Sequence, residues 1–174
     1  TGCDSGDKTI SATTYNNASP LSPICTTGTV TIEGNITYDP GTATVSDGRF
    51  AQQVILAKDI VIKAGVTRVD AWLVTQDENG IVSTCATDNS GEAGKLTPAN
   101  ARLHAGICNQ PLKINGPVIA GKLYLYRTHY NSTEPGEPAE IINLRPDAFL
   151  AAHNGTGSTP YVQTQNVIEL PPRL

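Results

Sequence analysis

The sequence predicts an all-β fold, a parallel β-helix (β-solenoid) with disulfide-stapled loops and a short C-terminal capping helix. The central segment, residues 53–75, holds three short apolar runs rich in β-branched residues, at 54–56, 60–62 and 69–74. Runs of this length and composition are typical of strands. The short breaks between them leave no room for a crossover helix and lack the Asn-Gly or Asp-Gly pairs of tight hairpins. Strands joined by such short corners indicate a chain that coils on itself.

A degenerate repeat supports this fold. The segments that begin at Val30, Ile60 and Leu112 share one outline, in which two apolar residues spaced two apart precede a small or glycine corner and a further apolar strand. In a solenoid, one coil supplies an inward face that it cannot bury alone, so neighbouring coils stack to form the core. We therefore place the solenoid domain at residues 29–130.

The segment before this domain, residues 1–28, differs in composition. It is poor in apolar residues and contains Asp-Ser-Gly-Asp, Asn-Asn and two prolines. We expect it to form an extended N-terminal arm or loop held by a disulfide, with residues 8–15 as one edge strand.

The segment after it, residues 131–174, predicts a C-terminal cap. A short strand at 140–144 precedes Pro146, which suits a first helical turn because its missing N–H would have no partner there. The glycine of Asn154-Gly155 ends this short helix. Residues 161–170 predict a terminal edge or exchanged strand. Such a cap covers the backbone groups that a terminal coil leaves unpaired.

Four cysteines define the expected compartment. Cys3 and Cys25 bracket one polar excursion, and Cys85 and Cys108 bracket another. None has the close spacing that a zinc site requires. We predict disulfides within these two pairs, in an oxidising compartment. The other two connectivities stay open from the sequence alone.

Composition places the chain outside the cell, or at its surface. Charged residues make up 16% of it, against roughly 25% in an average soluble domain. A net charge of −4 argues against nucleic acid or an anionic membrane as a partner, because no basic face is available to displace counterions. The longest apolar runs are too short to be inserted in a membrane. The sequence contains no methionine, so we interpret it as a mature product or as a domain of a longer protein.

Short motifs in the second half carry a resemblance to known proteins: Asn115-Gly-Pro-Val-Ile-Ala, Leu123-Tyr-Leu-Tyr-Arg, Pro138-Ala-Glu, Arg145-Pro-Asp-Ala and Glu169-Leu-Pro-Pro-Arg. With them, the chain resembles large secreted surface proteins of ultrasmall candidate-phylum bacteria. The coil pattern also resembles that of polymer-forming parallel β-helix proteins of the bactofilin type. These resemblances imply a fold and a location, but no activity. Bactofilins are cytoplasmic scaffolds without disulfides, so their role is not carried over.

Arg68, Asp70 and Trp72 form a candidate ligand platform. They fall on one face of a strand if Val69 and its alternate neighbours fill the core. An exposed row of this kind suits the stacking of a sugar or, in a pectinase-like solenoid, acid/base chemistry. An ordinary outer face with an Arg–Asp pair is the favoured alternative, because polysaccharide cleavage needs acidic or basic groups that converge from successive coils.

Two further kinds of site are weaker candidates. Asp88, Asn89 and Glu92 supply oxygen ligands for calcium, although turn chemistry explains the same residues equally well. Otherwise no metal site is expected. Asn17, Asn131 and Asn154 begin glycosylation sequons.

These observations predict a non-enzymatic, secreted structural protein, a subunit or domain of an extracellular filament or cell-surface layer. Its expected partner is itself, in a homo-polymer built by head-to-tail stacking or strand addition. The alternative is a monomeric adhesin or carbohydrate-binding module with a glycan or a host-cell surface as partner. A polysaccharide lyase or hydrolase is a third hypothesis. No cofactor is expected.

Overall fold

The computed structural model of the chain describes residues 2–40, 51–86, 106–128 and 138–144. These residues form β-strands and no helix, so no helix in these four segments is long and apolar enough to cross a membrane. The strands are β1 Lys8–Ile10, β2 Thr13–Tyr15, β3 Ile24–Cys25, β4 Thr29–Ile32, β5 Ile36–Tyr38, β6 Val54–Ala57, β7 Asp59–Lys63, β8 Arg68–Val69, β9 Trp72–Thr75, β10 Ile81–Ala86, β11 Leu112–Asn115, β12 Val118–Ile119, β13 Lys122–Tyr124 and β14 Glu140–Asn143.

Every third strand belongs to the same sheet, and all paired strands run parallel. Sheet 1 has the order β1-β4-β7-β10-β13, sheet 2 the order β2-β5-β8-β11-β14, and sheet 3 the order β3-β6-β9-β12. Three successive strands therefore visit the three sheets in turn. We call β1–β3 coil 1, β4–β6 coil 2, β7–β9 coil 3, β10–β12 coil 4 and β13–β14 coil 5. This connectivity is consistent with the predicted parallel β-solenoid.

The register of the strands aligns apolar residues into columns that run through the core. The three columns are Val30-Ile60-Val82 in sheet 1, Ile36-Val69-Ile114 in sheet 2 and Ile55-Leu73-Val118 in sheet 3. All of these residues except Val118 are almost completely buried. Each buried aliphatic side chain contributes about 1.5–3 kcal/mol to folding. The core is thus a stack of in-register layers, one layer for each coil.

Several corners between strands are very short. Only Lys58 separates β6 from β7, which leaves no room for a helix between these two strands. Corners of adjacent coils also lie in close contact: a Cβ atom on Gly116 of coil 4 would overlap the backbone carbonyl of Ala71 in coil 3. Glycine at this corner therefore permits the coils to stack.

The structure differs from the sequence prediction at the N-terminus. Residues 8–25 do not form a separate arm, because β1, β2 and β3 pair in parallel with β4, β5 and β6. The single strand expected at residues 8–15 is two strands in two different sheets. These strands are only two or three residues long and rich in threonine, so the alternation of apolar and polar residues in the sequence is too weak to reveal them.

The repeat also differs in detail. Val30 and Ile60 are register partners in sheet 1, as the repeat predicts, but Leu112 begins a strand of sheet 2. The predicted strand 69–74 is interrupted by a corner at Asp70 and Ala71. In the C-terminal part, β14 lies where a short strand is predicted and pairs with β11, so it continues sheet 2. The predicted helix after Pro146 and the predicted strand at 161–170 lie outside the described residues.

The two disulfides are Cys3–Cys25 and Cys85–Cys108, the pairings expected from chain order. Their Cα atoms are 4.7 Å and 6.0 Å apart, within the usual range for a disulfide. The first joins Cys3, which precedes β1, to Cys25 at the end of β3. The second is buried against Ala64 and Tyr126.

Removal of either disulfide provides a test of what each one stabilises. The two bridges join residues 22 and 23 positions apart, so replacing either pair by alanine should lower the free energy of unfolding by a similar amount, about 3 kcal/mol, through the unfolded state. Cys85 and Cys108 are almost fully buried, and their replacement should cost about 1 kcal/mol more because it leaves a void. Urea unfolding of both double variants measures the difference. A greater loss for the Cys3/Cys25 variant would contradict this interpretation.

Candidate functional site

Asp70 is the centre of a polar cluster at the corner between β8 and β9. Its side chain is 1% exposed, and both of its oxygens accept hydrogen bonds. Arg68 donates to it from Nε at 3.0 Å and from Nη2 at 2.7 Å. The Tyr38 amide of coil 2 donates at 2.7 Å, and Asn115 Nδ2 of coil 4 donates at 2.6 Å. A carboxylate from coil 3 thereby joins the coils on both sides.

The electrostatic environment keeps Asp70 ionised. Burial by itself raises the pKa of this carboxyl group. Hydrogen bonds from Arg68, Asn115 and the Tyr38 amide, together with the positive charge of Arg68, outweigh burial and hold the pKa below its ordinary value of 3.8. Asp70 is therefore negatively charged at neutral pH.

The cluster extends through all five coils. Tyr15 of coil 1 donates from its hydroxyl to the Asp70 carbonyl at 2.6 Å, and Asn143 Nδ2 of coil 5 donates to Asn115 Oδ1 at 3.0 Å. Hydrogen bonds at one corner thus connect all five coils, and coil 2 takes part through the backbone amide of Tyr38. The sequence contains a signal for part of this cluster, because Asp70, Asn115 and Asn143 each directly follow a β-branched residue of sheet 2.

The three residues of the predicted ligand platform do not form one exposed row. Arg68 is exposed in sheet 2, Asp70 is buried at the corner, and Trp72 is half-buried in sheet 3, where it pairs with Val54. The reason is the corner at Asp70, which turns the chain from one sheet to the next. Asp70 therefore has a positioning role within the corner, and its carboxylate is directed away from solvent.

Arg127 is a second buried charge, which sequence reasoning missed. Its guanidinium group donates to backbone carbonyls of residues on three separate segments: Lys63, Ala64, Thr84 and Gln110. Burial lowers its pKa to about 10, although the nearby Glu140 carboxylate acts in the opposite direction. The group stays protonated at neutral pH and ties the segment around the Cys85–Cys108 disulfide to coils 3 and 4. In the sequence, the only indication of this role is that a single arginine follows Leu-Tyr-Leu-Tyr.

A cavity of about 400 Å³ lies inside coil 1. Ile10, Leu21 and Ile24 of coil 1 line its wall, and Ile36 and Gln53 of coil 2 lie below them. Because no coil precedes coil 1 among the described residues, the cavity faces that end of the stack. A cavity of this size and character is within the range of protein binding sites.

The Gln53 side chain in this cavity has a fixed orientation. Its Nε2 atom donates to the carbonyls of Ser22 and Val54, at 3.3 Å and 3.1 Å, so the amide cannot be turned over without loss of both bonds. Its Oε1 atom is buried and accepts no hydrogen bond from the described residues. The cavity is lined by apolar side chains together with the hydroxyl residues Thr9, Ser11, Thr13 and Ser22.

The opposite end of the stack is apolar and exposed. Leu123 of β13 is the register partner of Val82, and Ile142 of β14 is the register partner of Ile114. Both thus continue core columns, yet they are 40% and 39% exposed. Leu144, which follows β14, is 63% exposed. Within the described segments, no further layer covers these core residues of the terminal coil.

The remaining candidate sites receive little support. No group of histidine, cysteine, aspartate and glutamate suited to a metal ion occurs in the described part of the chain. Asp88, Asn89 and Glu92 lie outside it, as do Asn131 and Asn154. Asn17 lies within it, but its Oδ1 accepts hydrogen bonds from Tyr38 and the Ala51 amide, and its Nδ2 is buried. Attachment of a glycan to Asn17 would require this corner to open.

Comparison with protein-family models, with curated proteins and with solved structures gives no match for this chain. The geometry of the coils and of their two ends is therefore the basis for assigning a function.

The charge of Asp70 predicts how stability depends on pH. Because the folded-state pKa is lowered, its contribution to stability is fully present above about pH 4 and is lost as the pH falls through that lowered pKa. We expect Asp70→Asn to lower the free energy of unfolding at pH 7 by about 2 kcal/mol, since it removes charged hydrogen bonds from a buried corner. Its stability should also depend less on pH below 4 than that of the wild type.

Urea unfolding between pH 2 and pH 7 measures both effects. Asp77→Asn is the matched control, because Asp77 is exposed and the asparagine retains the oxygen that accepts the Asn79 amide. An Asp70→Asn profile parallel to that of the wild type would show that Asp70 does not contribute this pH dependence.

Proposed function

We propose that this chain forms a closed three-sided β-solenoid and acts as a secreted, non-enzymatic structural protein, a subunit or domain of an extracellular filament or cell-surface layer. The observation that carries the proposal is the character of the two ends. At one end β1, β2 and β3, and at the other β13, β14 and β12, have one neighbouring strand each within the described residues. Unpaired strand edges and exposed core residues favour the addition of further strands.

The parallel order of the strands favours assembly in one direction. A sheet of parallel strands has two different edges. The edge at coil 1 of one copy is therefore suited to the edge at the other end of a second copy. Contacts between two different surfaces of the same molecule do not close on themselves unless a rotation returns the chain of copies to its start. Head-to-tail stacking therefore leads to a filament. Strand addition through the terminal segments is the second route to the same product.

The expected location rests on the disulfides and on the resemblance described above. Two disulfides within one small domain indicate an oxidising environment, such as the cell exterior. The low content of charged residues suits a subunit that buries much of its surface in an assembly. Secreted surface proteins of candidate-phylum bacteria, which the chain resembles, would have the same location.

Electron microscopy and fibre diffraction of the purified, oxidised protein test this function. We expect fibres of uniform width whose strands run across the fibre axis, with an axial reflection at about 4.8 Å, the spacing between neighbouring strands. Five coils at this spacing predict an axial subunit repeat of about 24 Å if coil 5 of one copy adjoins coil 1 of the next.

Amyloid-like aggregation would also give the axial reflection at about 4.8 Å, but it would not give the subunit repeat of about 24 Å. Reduction of the disulfides before assembly is the control. Reduced subunits should be less stable than oxidised subunits and should form fewer regular fibres. A wild-type protein that stays monomeric at concentrations up to about 1 mM, well above the usual range of protein–protein dissociation constants, would exclude the proposed function.

A further inference from the structure

We propose that the Cys3–Cys25 disulfide is a redox-modification site. A dithiol reductant opens it while Cys85–Cys108 stays intact, and residues 2–10, which we call the N-terminal segment, then detach from the stack. Detachment exposes the β4 edge of sheet 1 and the wall of the cavity in coil 1. The inference goes beyond the proposed function and does not depend on it, because every step takes place within a single copy.

The two disulfides differ in their accessibility to a thiol in solution. Cys3 and Cys25 are both partly exposed, whereas Cys85 is 0% exposed and Cys108 is 1% exposed. Thiol–disulfide exchange begins when a thiolate reaches one sulfur of the bond, so access controls its rate. A reductant can therefore attack the first disulfide in the folded protein, whereas the second must be uncovered beforehand.

A hydrogen bond to the first disulfide indicates which sulfur leaves. Gln76 Nε2 donates to Cys3 Sγ at 3.6 Å and to the Thr26 carbonyl at 3.0 Å, so the amide is held against the disulfide. Donation of a hydrogen bond favours the negative charge that develops on a departing sulfur. Cys3 is therefore the better leaving group, and Cys25 is the sulfur that is attacked.

The exchange with a dithiol proceeds in two steps. The first thiolate of the reductant forms a mixed disulfide with Cys25 and breaks the Cys3–Cys25 bond, and the Cys3 thiolate takes a proton from solvent. The second thiolate of the reductant then attacks the reductant's own sulfur in the mixed disulfide and releases Cys25 as a thiolate. Two electrons pass to the protein, which gains two thiols, and the reductant is oxidised to its disulfide.

The N-terminal segment contributes little apolar burial of its own. Apart from Cys3, its only large apolar residue is Ile10, which is half-buried. Its other contacts are polar: β1 pairs with three residues of β4, and Asp4 forms a bridge with Thr26. Segments with few buried apolar contacts open locally at the lowest free energy. Loss of the disulfide therefore favours opening of this segment before the rest of the stack.

The remainder of coil 1 is anchored more firmly. Tyr15 of β2 is 2% exposed, and its hydroxyl donates to the Asp70 carbonyl of coil 3 at 2.6 Å. Opening therefore stops at residues 11–12, between β1 and β2. Without the N-terminal segment, β4 becomes the edge strand of sheet 1, and the cavity loses the part of its wall that Thr9 and Ile10 supply.

Graded reduction of the oxidised wild-type protein tests the selectivity. Dithiothreitol is the probe, and peptide mapping by mass spectrometry after alkylation measures the reduction of each disulfide over time. We expect Cys3–Cys25 to be reduced at least about tenfold faster than Cys85–Cys108 in the absence of urea. The difference should disappear in urea that unfolds the protein. Equal rates without urea would overturn the proposal, because reduction would then require unfolding of the whole stack.

Gln76→Leu tests the assignment of the leaving sulfur. Removal of the donor should slow reduction of Cys3–Cys25 about fivefold. A purely structural role of Gln76 predicts the opposite sign, because loss of its bond to the Thr26 carbonyl loosens this corner and increases access. Brief treatment of the wild type with glutathione should place the mixed disulfide on Cys25. Faster reduction of the variant, or a mixed disulfide on Cys3, would overturn this assignment.

Hydrogen exchange measured by NMR shows whether the N-terminal segment detaches. The amides of Thr27 and Glu33 donate to carbonyls of this segment at 2.9 Å and therefore report its attachment. In Cys3→Ser/Cys25→Ser, a permanent counterpart of the reduced protein, both amides should exchange within about tenfold of the rate of an unfolded chain. The Asp70 amide, which donates from coil 3 to coil 2 at 2.8 Å, should stay at least about 100-fold slower than that rate.

Cys85→Ser/Cys108→Ser is the matched control, because it also removes one disulfide. Its Thr27 and Glu33 amides should stay protected, since the N-terminal segment keeps its own disulfide. If these two amides also stay protected in the first variant, the segment remains attached without the disulfide and the proposal is wrong. All of these measurements use the monomer, so a failure of the proposed filament function would leave their interpretation unchanged.

Discussion

Successive coils of this protein stay in register, and the apolar columns of the core depend on that alignment. Val30, Ile60 and Val82 lie one above another because parallel strands pair residue by residue across three coils. A slip of one residue would turn every apolar side chain of that strand away from the core. Each coil also contacts mainly the coils next to it, so stability accumulates layer by layer along the stack.

The corner at Asp70 fixes this register by electrostatics as well as by packing. Its carboxylate accepts hydrogen bonds from coils 2, 3 and 4, so a shift of any one of them would remove a hydrogen bond from a buried charge. Arg127 is the opposite case, a buried positive charge. Its guanidinium group donates to backbone carbonyls of separate segments, and the Glu140 carboxylate lies nearby. Two buried charges therefore hold different parts of the same stack.

The layered construction also explains why the ends matter. An internal coil buries its core residues on both sides, whereas a terminal coil does so on one side only. Exposed Leu123 and Ile142 at one end and the cavity in coil 1 at the other are the two consequences of this geometry. Proteins with such ends need a covering element or a partner, because exposed core residues and unpaired edges favour association. The proposed stacking of identical copies supplies the missing layer at both ends.

The sequence by itself predicted the all-β character and several short corners, because short β-branched runs are local features. It also favoured the two cysteine pairs, since each pair brackets a polar loop, but it left the other connectivities open. It also located most strands of the central segment. It did not show that residues 8–25 form a complete coil, or that the chain turns at Asp70 from one sheet to the next. Apolar residues at every second position indicate that side chains alternate between the two faces of a strand. This pattern does not indicate which sheet the strand joins. Only the tertiary structure, in which Asp70 meets Tyr38 and Asn115 across neighbouring coils, decided where the corner lies, and with it which residues are buried and which face solvent.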